Sequence, residues 1–274
     1  MKYKNLILLN CHNAKDCLID LIENIFKFNE DVCIVINNGI PDDNLDDIKN
    51  EHIHVIPRNN SYDYSSHFFS RIPLHIDCWD YVVSNNIESE YVTIPSTNQL
   101  FIKSGFYDFM KNYQASYFGR IFHPHYVNEL YYKFPEDLVN NYFKKYFDDL
   151  GSSSFLYHSN HDSMFFTFDI FSNMMKYFED YKGQFVLYSS EEFLYPAYLV
   201  KNVPNEQLAE FSKYNYFELV NYNPYDPNDI WNENTLQFIT PERVDECISK
   251  DLFIVKRVNR DYNDPGRQYI RSLT

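Results

Sequence analysis

Residues 6–38 read LILLNCHNAKDCLIDLIENIFKFNEDVCIVINN, and the predicted fold follows from this stretch. Residues 6–11 and 32–36 are short apolar runs bounded by polar residues, which is the pattern of buried strands. Residues 15–28 lie between them and space their apolar side chains as one face of a helix does. The apolar positions of that face are Leu18, Leu21, Ile22, Ile25 and Phe26. A third apolar run at residues 52–56 continues the alternation, which is typical of an α/β protein with a mostly parallel central sheet flanked by helices.

The rest of the chain continues in the same manner, without an internal repeat, a low-complexity tract or a long linker. We therefore expect a single domain, residues 1–274. The later predicted elements are a helix after Pro73, a strand at 91–94 that runs into a polar loop at 95–99, a helix at 163–178, strands at 185–187 and 252–258, and a helix from Thr240-Pro241-Glu242 to about Lys250. The start of that last helix is predicted from a hydroxyl cap, a proline at the first position and an acid beside the dipole.

The composition excludes several classes of protein. With 25 Tyr, 24 Phe and 45% hydrophobic residues, the chain has too much apolar surface to be disordered. Its 6 glycines form no G-x-G-x-x-G and no G-x-x-x-x-G-K-[ST] motif, so glycine-built phosphate cradles are absent. The net charge of −15 argues against a general nucleic-acid binder, because such proteins gain affinity by neutralising phosphates.

The cysteines predict buried, reduced thiols rather than a disulfide framework. Their number, five, is odd, no C-x-x-C occurs, and three of them lie in apolar runs. The N-terminal apolar stretch, residues 6–9, is too short for the h-region of a signal peptide or for a membrane span. We therefore expect a cytoplasmic protein without a membrane span.

Polar residues follow the predicted parallel strands. In sheets of this kind, ligands bind beyond the carboxyl ends of the strands. Those ends fall near residues 10–13, 37–38 and 57–62. Asn10, His12 and Asn38 are therefore candidate substrate-binding residues.

The C-terminal segment is basic although the chain as a whole is acidic. Its six cations, against three aspartates, are Lys250, Lys256, Arg257, Arg260, Arg267 and Arg271. Arginine and lysine at the end of a strand can hold phosphate oxygens by charge-assisted hydrogen bonds. The alternative is that these cations only pair with the acidic surface around them.

Ser189-Ser190-Glu191-Glu192 is predicted to lie at a turn from a strand into a helix. Two carboxylates there can simply cap the helix. One of them can instead lie at the mouth of the sheet as a general base. Because adjacent residues on a helix point about 100° apart, we expect only one of the two to face a cleft.

Sequence patterns for a metal site or for a hydrolase are weaker. His158, His161 and Asp162, or His123 and His125, could ligate a metal, but no cysteine or second acidic cluster joins them at a recognised spacing. A metal-dependent hydrolase that uses the first three residues is the third hypothesis. No G-x-S-x-G elbow is present for a hydrolase triad, and no Asp-x-Asp motif occurs.

Four patches of the chain follow one another in a characteristic order. They are LILLNCH (6–12) with the helix and strand after it, YVTIPSTNQL (91–100), SSEEFLY (189–195) and DLFIVKR (251–257). Together they resemble glycosyltransferase family 14, the core 2/I-branching N-acetylglucosaminyltransferases and peptide xylosyltransferases. The second patch resembles the family's Y-x-I-x-L-S-G-x-D-x-P-L, the third is similar to S-P-D-E-x-L-W, and the fourth to x-L-F-A-x-K-F. Trp231 and Pro241 precede the fourth patch at a fitting distance.

The resemblance implies a GT-A type fold, with a donor-nucleotide half at about residues 1–100 and an acceptor and catalytic half at about residues 101–274. It implies an inverting, metal-independent transfer of a sugar from a UDP-sugar (GlcNAc- or xylose-like) to a glycan or another hydroxyl acceptor, with no cofactor besides the donor. By position, Glu192 is the implied catalytic base and Lys256 the implied contact to the diphosphate. The remaining candidate substrate-binding residues are Arg257, Ser96, Asn98, Glu191 and Trp231.

The chain departs from the family pattern at three places. The family's aspartate after its second strand falls at Asn37 or Asn38, and the aspartate of its loop falls at Asn98 or Gln99. The family's arginine about twenty residues before the lysine has no counterpart around Trp231. Arg257 or Arg243 are the alternatives for it.

Residue types and resemblance lead to the same mechanism. Most GT-A enzymes stabilise the departing diphosphate with a divalent ion held by Asp-x-Asp. Fixed cations can stabilise that charge instead, here Lys256 and Arg257, while Glu192 takes the proton of the acceptor hydroxyl and Glu191 caps the helix. The competing hypothesis is a module of the same fold that binds a nucleotide or glycan without turnover.

Overall fold

The structure, a computed structural model, describes residues 2–11, 14–40, 45–59, 71–117, 120–122, 149–150, 156–158, 162–179, 191–217 and 238–274. These residues form two compact units, each assembled from separate segments of the chain. The first unit comprises Met1–Asn13, Asp31–Pro95 and Tyr107–Phe211, and the second comprises Ala14–Glu30, Ser96–Phe106 and Ser212–Thr274. The single domain over residues 1–274 stays a prediction.

Strands and helices alternate along the described residues. The strands are β1 (Lys2–Cys11), β2 (Val32–Asn38), β3 (Ile53–Ile56), β4 (Glu88–Ile94), β5 (Gln99–Phe101), β6 (Ala115–Tyr117), β7 (Arg120–Phe122), β8 (Leu156–His158), β9 (Met164–Thr167), β10 (Leu208–Glu210), β11 (Asn215–Phe217) and β12 (Ile254–Lys256). The α-helices are α1 (Lys15–Phe28), α2 (Ile72–Ser84), α3 (Phe106–Met110), α4 (Phe168–Glu179), α5 (Glu191–Asn202), α6 (Pro241–Ser249) and α7 (Pro265–Ser272). Short 3-10 turns lie at Asp46–Ile48, Asn205–Gln207 and Phe211–Lys213.

The first unit contains a seven-stranded sheet of order β10-β6-β9-β4-β1-β2-β3. The neighbours among β4, β1, β2 and β3 are parallel, and so are β10 and β6. Strand β9 is antiparallel to both β4 and β6. The α/β class and the mostly parallel central sheet are therefore confirmed. A separate antiparallel pair joins β7 and β8.

The apolar runs of β1 and β2 explain their central position in this sheet. Residues 6–9 and 32–36 are buried throughout, with no alternation between exposed and covered side chains. A strand that buries both of its faces belongs in the interior of a parallel sheet, where helices or other elements cover both sides.

Three helices of the first unit pack on one face of the sheet. Alternate residues of the strands, such as Leu6 and Leu8, share one hydrophobic cluster with residues of α2, α4 and α5. Aromatic rings fill that cluster. The ring centroid of Trp79 on α2 lies 5.0 Å from that of Phe168 and 5.4 Å from that of Phe171, both on α4. The sheet is thus flanked by helices, as predicted.

The predicted helix at 163–178 is wrong at its start. Met164–Thr167 forms strand β9, and only Phe168–Glu179 is helical. The four strand residues pair with β4, in the register Met164↔Ile94 to Thr167↔Tyr91. Three consecutive buried side chains suit a strand between two others, and this pairing prevails over the helical spacing of the apolar residues.

The second unit contains a three-stranded sheet of order β11-β12-β5. Strands β11 and β12 are parallel, and β12 and β5 are antiparallel. Helix α1 belongs to this unit, and the amide of Asn24 bonds to both backbone groups of Phe101 on β5. Helix α6 begins as predicted, because the Thr240 hydroxyl accepts a hydrogen bond from the backbone N–H of Arg243 at 3.4 Å.

Helix α1 has the predicted bounds but a slightly different buried face. Leu18, Leu21, Ile22 and Ile25 are buried as predicted. Phe26 was predicted on the same face but is 39% exposed, whereas Phe28 is only 5% exposed. Asp20 and Asn24, which do not belong to the predicted apolar face, are also buried, because both have polar partners inside the unit.

The predicted last strand, 252–258, is longer than the strand observed. Only Ile254–Lys256 pairs, because Arg257 has a φ of 72°, in the left-handed region, and ends β12. Helix α7 follows and was not predicted. The carboxylate of Asp264 caps it, accepting hydrogen bonds from the backbone N–H groups of Gly266 and Arg267.

All five cysteines are buried thiols, as predicted. Burial raises the pKa of the Cys33 thiol to about 12. Among the described helices, none is both long and apolar enough to cross a membrane. The predicted strand at 185–187 and the serines of the segment 189–192 lie outside the described residues.

Candidate functional site

The carboxyl ends of β1, β2 and β3 meet at one edge of the large sheet, as predicted. The parallel register sets Asn10 opposite Asn37 and Cys11 opposite Asn38, and sets Asn37 opposite Ile56. Among the described residues, the Asn10 side-chain oxygen has no hydrogen-bond partner, although this atom is buried. The Asn38 side-chain oxygen accepts a hydrogen bond from the Ile40 backbone N–H at 2.9 Å and so stabilises the turn after β2.

A cation that sequence reasoning missed lies at this edge. The Arg58 guanidinium donates a hydrogen bond to the backbone oxygen of Gly39 at 2.5 Å, and thereby links the turn after β2 to the segment after β3. The sequence signal was its position, two residues beyond the end of a predicted strand. Arg58 and Asn10 therefore join the candidate polar groups of this edge.

The two adjacent glutamates have different surroundings. Glu191 is 1% exposed, and its carboxylate accepts a hydrogen bond from the backbone N–H of Arg71 at 3.0 Å. Arg71 immediately precedes α2, so this carboxylate lies at the N-terminus of α2 and in the first turn of α5. Both helix ends favour negative charge. Glu192 is half-buried, one position further along α5.

A buried polar pair fixes the same end of α5. The Tyr195 hydroxyl lies 2.7 Å from His75 Nδ1, and both side chains are buried. Burial raises the pKa of Tyr195 well above its ordinary value, and the carboxylate of Glu191 and the thiol of Cys78 add to the effect. Tyr195 therefore stays a neutral hydroxyl, which can hold α5 against α2 through His75.

Two segments singled out separately in the sequence come together in the second unit. Strand β5 pairs with β12 so that Gln99 lies opposite Lys256, and the Val258 backbone N–H donates to the Asn98 backbone oxygen at 3.0 Å. The loop before β5 is ordered by its own polar side chains. The Ser96 hydroxyl donates to the Asn98 side-chain oxygen at 2.6 Å, and the Ser96 backbone N–H donates to Gln99 Oε1 at 2.8 Å.

The cation at the centre of this arrangement is poorly hydrated. Lys256 is 7% exposed. Burial lowers its pKa well below the ordinary value, and the positive charges of Arg257 and Arg260 lower it further. An anion beside Lys256 would raise this pKa again, because a negative charge favours the protonated amine.

Neutral polar groups accompany Lys256 on one face of the small sheet. Residues that are paired across strands share a face, so Gln99 lies on the face of Lys256, and Asn215, paired with Ile254, lies on it too. Gln99 Nε2 and both amide atoms of Asn215 are buried and have no hydrogen-bond partner among the residues described. Buried amides of this kind normally bond to protein, water or a ligand. Asn215 had no distinguishing signal in the sequence.

The predicted site residues that the structure describes are divided between the two units. Asn10, Asn38, Glu191 and Glu192 belong to the first unit, and Ser96, Asn98, Lys256 and Arg257 belong to the second. His12 and Trp231 lie outside the described residues. Of the two alternatives for the family's arginine, Arg243 forms an exposed ion pair with Glu246, whereas Arg257 adjoins Lys256.

The metal hypothesis receives no support from the described residues. Asp162 is buried in the turn before β9, but His161 and the side chain of His158 lie outside the part of the chain that the structure describes, as do His123 and His125. Within that part, no group of three or more His, Cys, Asp or Glu side chains could hold a metal ion.

No family model matches the chain, and no curated protein matches it.

Proposed function

We propose that the chain is an inverting, metal-independent glycosyltransferase of GT-A type. It moves a sugar, GlcNAc- or xylose-like, from UDP to an acceptor hydroxyl, and it resembles glycosyltransferase family 14. Glu192 is the general base, and Lys256 with Arg257 stabilises the diphosphate as it leaves.

The observation that carries the proposal is the pairing of β5 with β12. It joins the polar loop at Ser96 and Asn98 to the basic segment at Lys256 and Arg257, which are 158 to 161 residues further along the chain. Residues of both segments were predicted to bind substrate, those of the loop from the family resemblance and those of the basic segment from the resemblance and from their charge. Their juxtaposition supports a site for one ligand with both hydroxyl and phosphate groups.

The chemistry of a diphosphate leaving group suits these side chains. When the bond from the sugar to the phosphate breaks, negative charge develops on the phosphate oxygen. A desolvated lysine stabilises that charge strongly, because few water molecules screen the interaction. The buried amides of Gln99 and Asn215 can hydrogen-bond to neutral polar groups of the same ligand.

The acceptor side requires a base. In-line attack inverts the anomeric carbon, and the attacking hydroxyl must lose its proton as the new bond forms. Glu192 supplies a half-buried carboxylate in the first turn of α5. General-base help of this kind is worth about 10²–10⁴-fold.

The test is UDP release from UDP-GlcNAc and UDP-xylose in the presence of a panel of glycan and hydroxyl acceptors, with EDTA in the buffer. Glu192→Gln is expected to lower kcat by about 10²–10⁴-fold and to leave UDP affinity within about twofold of the wild type. Glu206→Gln, an exposed change in the first unit, is the matched control. Full activity of Glu192→Gln would refute the base assignment. UDP binding without any product would favour the non-catalytic module.

A further inference from the structure

The four residues that follow β12, Arg257–Arg260, are held in place one by one. Each has a backbone group bonded to another segment of the second unit. In chain order, the bonds are Ile239 N to Arg257 O at 3.0 Å, Val258 N to Asn98 O at 3.0 Å, Arg267 Nε to Asn259 O at 2.9 Å, and Cys17 Sγ to Arg260 O at 3.1 Å. We call this segment, Arg257–Arg260, the basic loop. Its two arginines are therefore carried by a backbone with little freedom.

The basic loop starts with an unfavourable conformation. Arg257 has a φ of 72°. A side chain with a Cβ rarely adopts this region, and such strain persists only where surrounding contacts fix it. Because the strained residue carries one of the two cations assigned to the diphosphate, the contacts that fix the basic loop bear on the site.

Arg267 is the most deeply buried of these contacts. Its side chain is 0% exposed. Its Nε donates to the Asn259 backbone oxygen, and its Nη1 forms an ion pair with Asp20 on α1. A guanidinium is a planar fork that can donate in two fixed directions, whereas an ammonium is a single point charge. Arg267 thus connects α1 to the basic loop with one rigid group.

Helix α7, which carries Arg267, is itself fixed at its start. Asp264 caps the helix and also accepts a hydrogen bond from Asn259 Nδ2 at 3.2 Å. A Cβ added at Gly266 would lie 2.3 Å from the backbone oxygen of Ile239, so the helix start packs directly on the residue that bonds to Arg257. The first turn of α7 therefore contacts Asn259 of the basic loop directly, and it packs on Ile239, which bonds to Arg257.

We propose that Arg267 is a positioning residue for phosphate binding: by holding the Asn259 carbonyl and the Asp20 carboxylate together, it fixes the basic loop so that Arg257 lies beside Lys256 in the geometry that a diphosphate needs. This inference rests on the proposed function, in which these two cations bind the diphosphate. Fixed cations bind a developing charge better than mobile ones, because no reorganisation is required at the moment of binding. Arg267 itself touches no substrate.

The test compares Arg267→Lys with Arg271→Lys in the full chain. Arg271 lies on the same helix and contacts Asp20 and Tyr262 rather than the basic loop, so it is the matched control. Binding of inorganic pyrophosphate is measured by calorimetry in EDTA at low salt, below the melting temperature of every variant. We expect Arg267→Lys to weaken pyrophosphate at least tenfold and Arg271→Lys to change it less than about twofold. A role in stability alone would lower the melting temperature of Arg267→Lys and leave pyrophosphate affinity unchanged, which would overturn the proposal.

A second variant keeps the test decisive if Arg267→Lys does not fold. Asp20→Asn leaves Arg267 in place and removes the carboxylate charge to which it is paired. Weaker pyrophosphate binding by Asp20→Asn supports the proposal, and unchanged binding overturns it.

The outcome separates this inference from the proposed function. If Arg267→Lys binds pyrophosphate less well and no UDP-sugar is turned over by the wild type, the positioning role stands and the transferase is refuted. If the wild type transfers sugar and Arg267→Lys leaves both pyrophosphate affinity and the KM for the UDP-sugar unchanged, the positioning role is refuted and the transferase stands. A wild type that binds neither pyrophosphate nor UDP refutes both.

Discussion

Replacing Asn24 with alanine would remove the two hydrogen bonds by which helix α1 holds strand β5. Asn24 Nδ2 donates to the Phe101 backbone oxygen at 2.8 Å, and its Oδ1 accepts from the Phe101 backbone N–H at 2.7 Å. The side-chain amide thereby satisfies both backbone groups of one residue, as a neighbouring strand would. Phe101 pairs on its other side with Ile254, two residues before Lys256, so the loss bears on the strand that carries the lysine proposed to bind phosphate.

The expected loss of stability follows from the burial of the four hydrogen-bonding groups, which are the amide N and O of the Asn24 side chain and the backbone N–H and C=O of Phe101. Asn24 is buried, and Phe101 is 1% exposed. A buried hydrogen bond contributes about 1 kcal/mol net, and a buried donor or acceptor left without a partner costs about 1–3 kcal/mol. For the Phe101 N–H and C=O together, we expect Asn24→Ala to lower the free energy of unfolding by about 2–6 kcal/mol.

The assay is equilibrium unfolding in urea, followed by far-ultraviolet circular dichroism. Asn112→Ala is the matched control, since Asn112 is exposed and its amide also donates to backbone oxygens, those of Asp108 and Phe109. We expect the control to stay within about 0.5 kcal/mol of the wild type. A loss for Asn24→Ala as small as that of the control would show that this amide does not hold β5, and the reasoning would be refuted.

Two further changes test the second unit. Folding lowers the pKa of Lys256 below its ordinary value of about 10.5. At pH values between the lowered and the ordinary pKa, Lys256 is protonated in the unfolded chain but mostly neutral in the folded chain. The free energy of unfolding of the wild type therefore rises with pH in that window. The free energy of unfolding of Lys256→Met is expected not to rise with pH in this window, and Lys256→Met is expected to be more stable than the wild type at the low-pH end of the window. Parallel pH profiles of the unfolding free energy for the two proteins would contradict this. Gly266→Ala brings a Cβ to 2.3 Å from the Ile239 backbone oxygen and is expected to cost about 1–3 kcal/mol in urea unfolding; a Gly266→Ala chain as stable as the wild type would contradict the close packing.

The parts of the fold that repeat apolar side chains regularly could be predicted from the sequence. The bounds of α1 and the central place of β1 and β2 follow from the spacing and length of their apolar runs. Strand β9 could not be found in this way. Its apolar residues continue into the spacing of α4, and only the pairing with β4, which is remote in sequence, separates strand from helix.

The charged residues of the candidate site could be predicted from the sequence, but the residues that hold them in place could not. Lys256 and the loop at Ser96 were singled out by residue type and order. The supporting roles of Arg267 and Asn24 were not, since both depend on contacts between remote segments, and Arg267 was counted only as one more cation of the C-terminal segment. Burial turns that cation from a surface charge into a connection between α1 and the basic loop.

Calorimetric titration of the purified chain with UDP, in EDTA and again with excess Mn²⁺, is the most direct test of metal-free phosphate binding by fixed cations. We expect UDP to bind in EDTA with an affinity that Mn²⁺ changes less than about threefold, and we expect Lys256→Met to weaken it at least tenfold. UDP binding that requires Mn²⁺, or that is the same for the wild type and Lys256→Met, would contradict the assignment of Lys256 to the diphosphate.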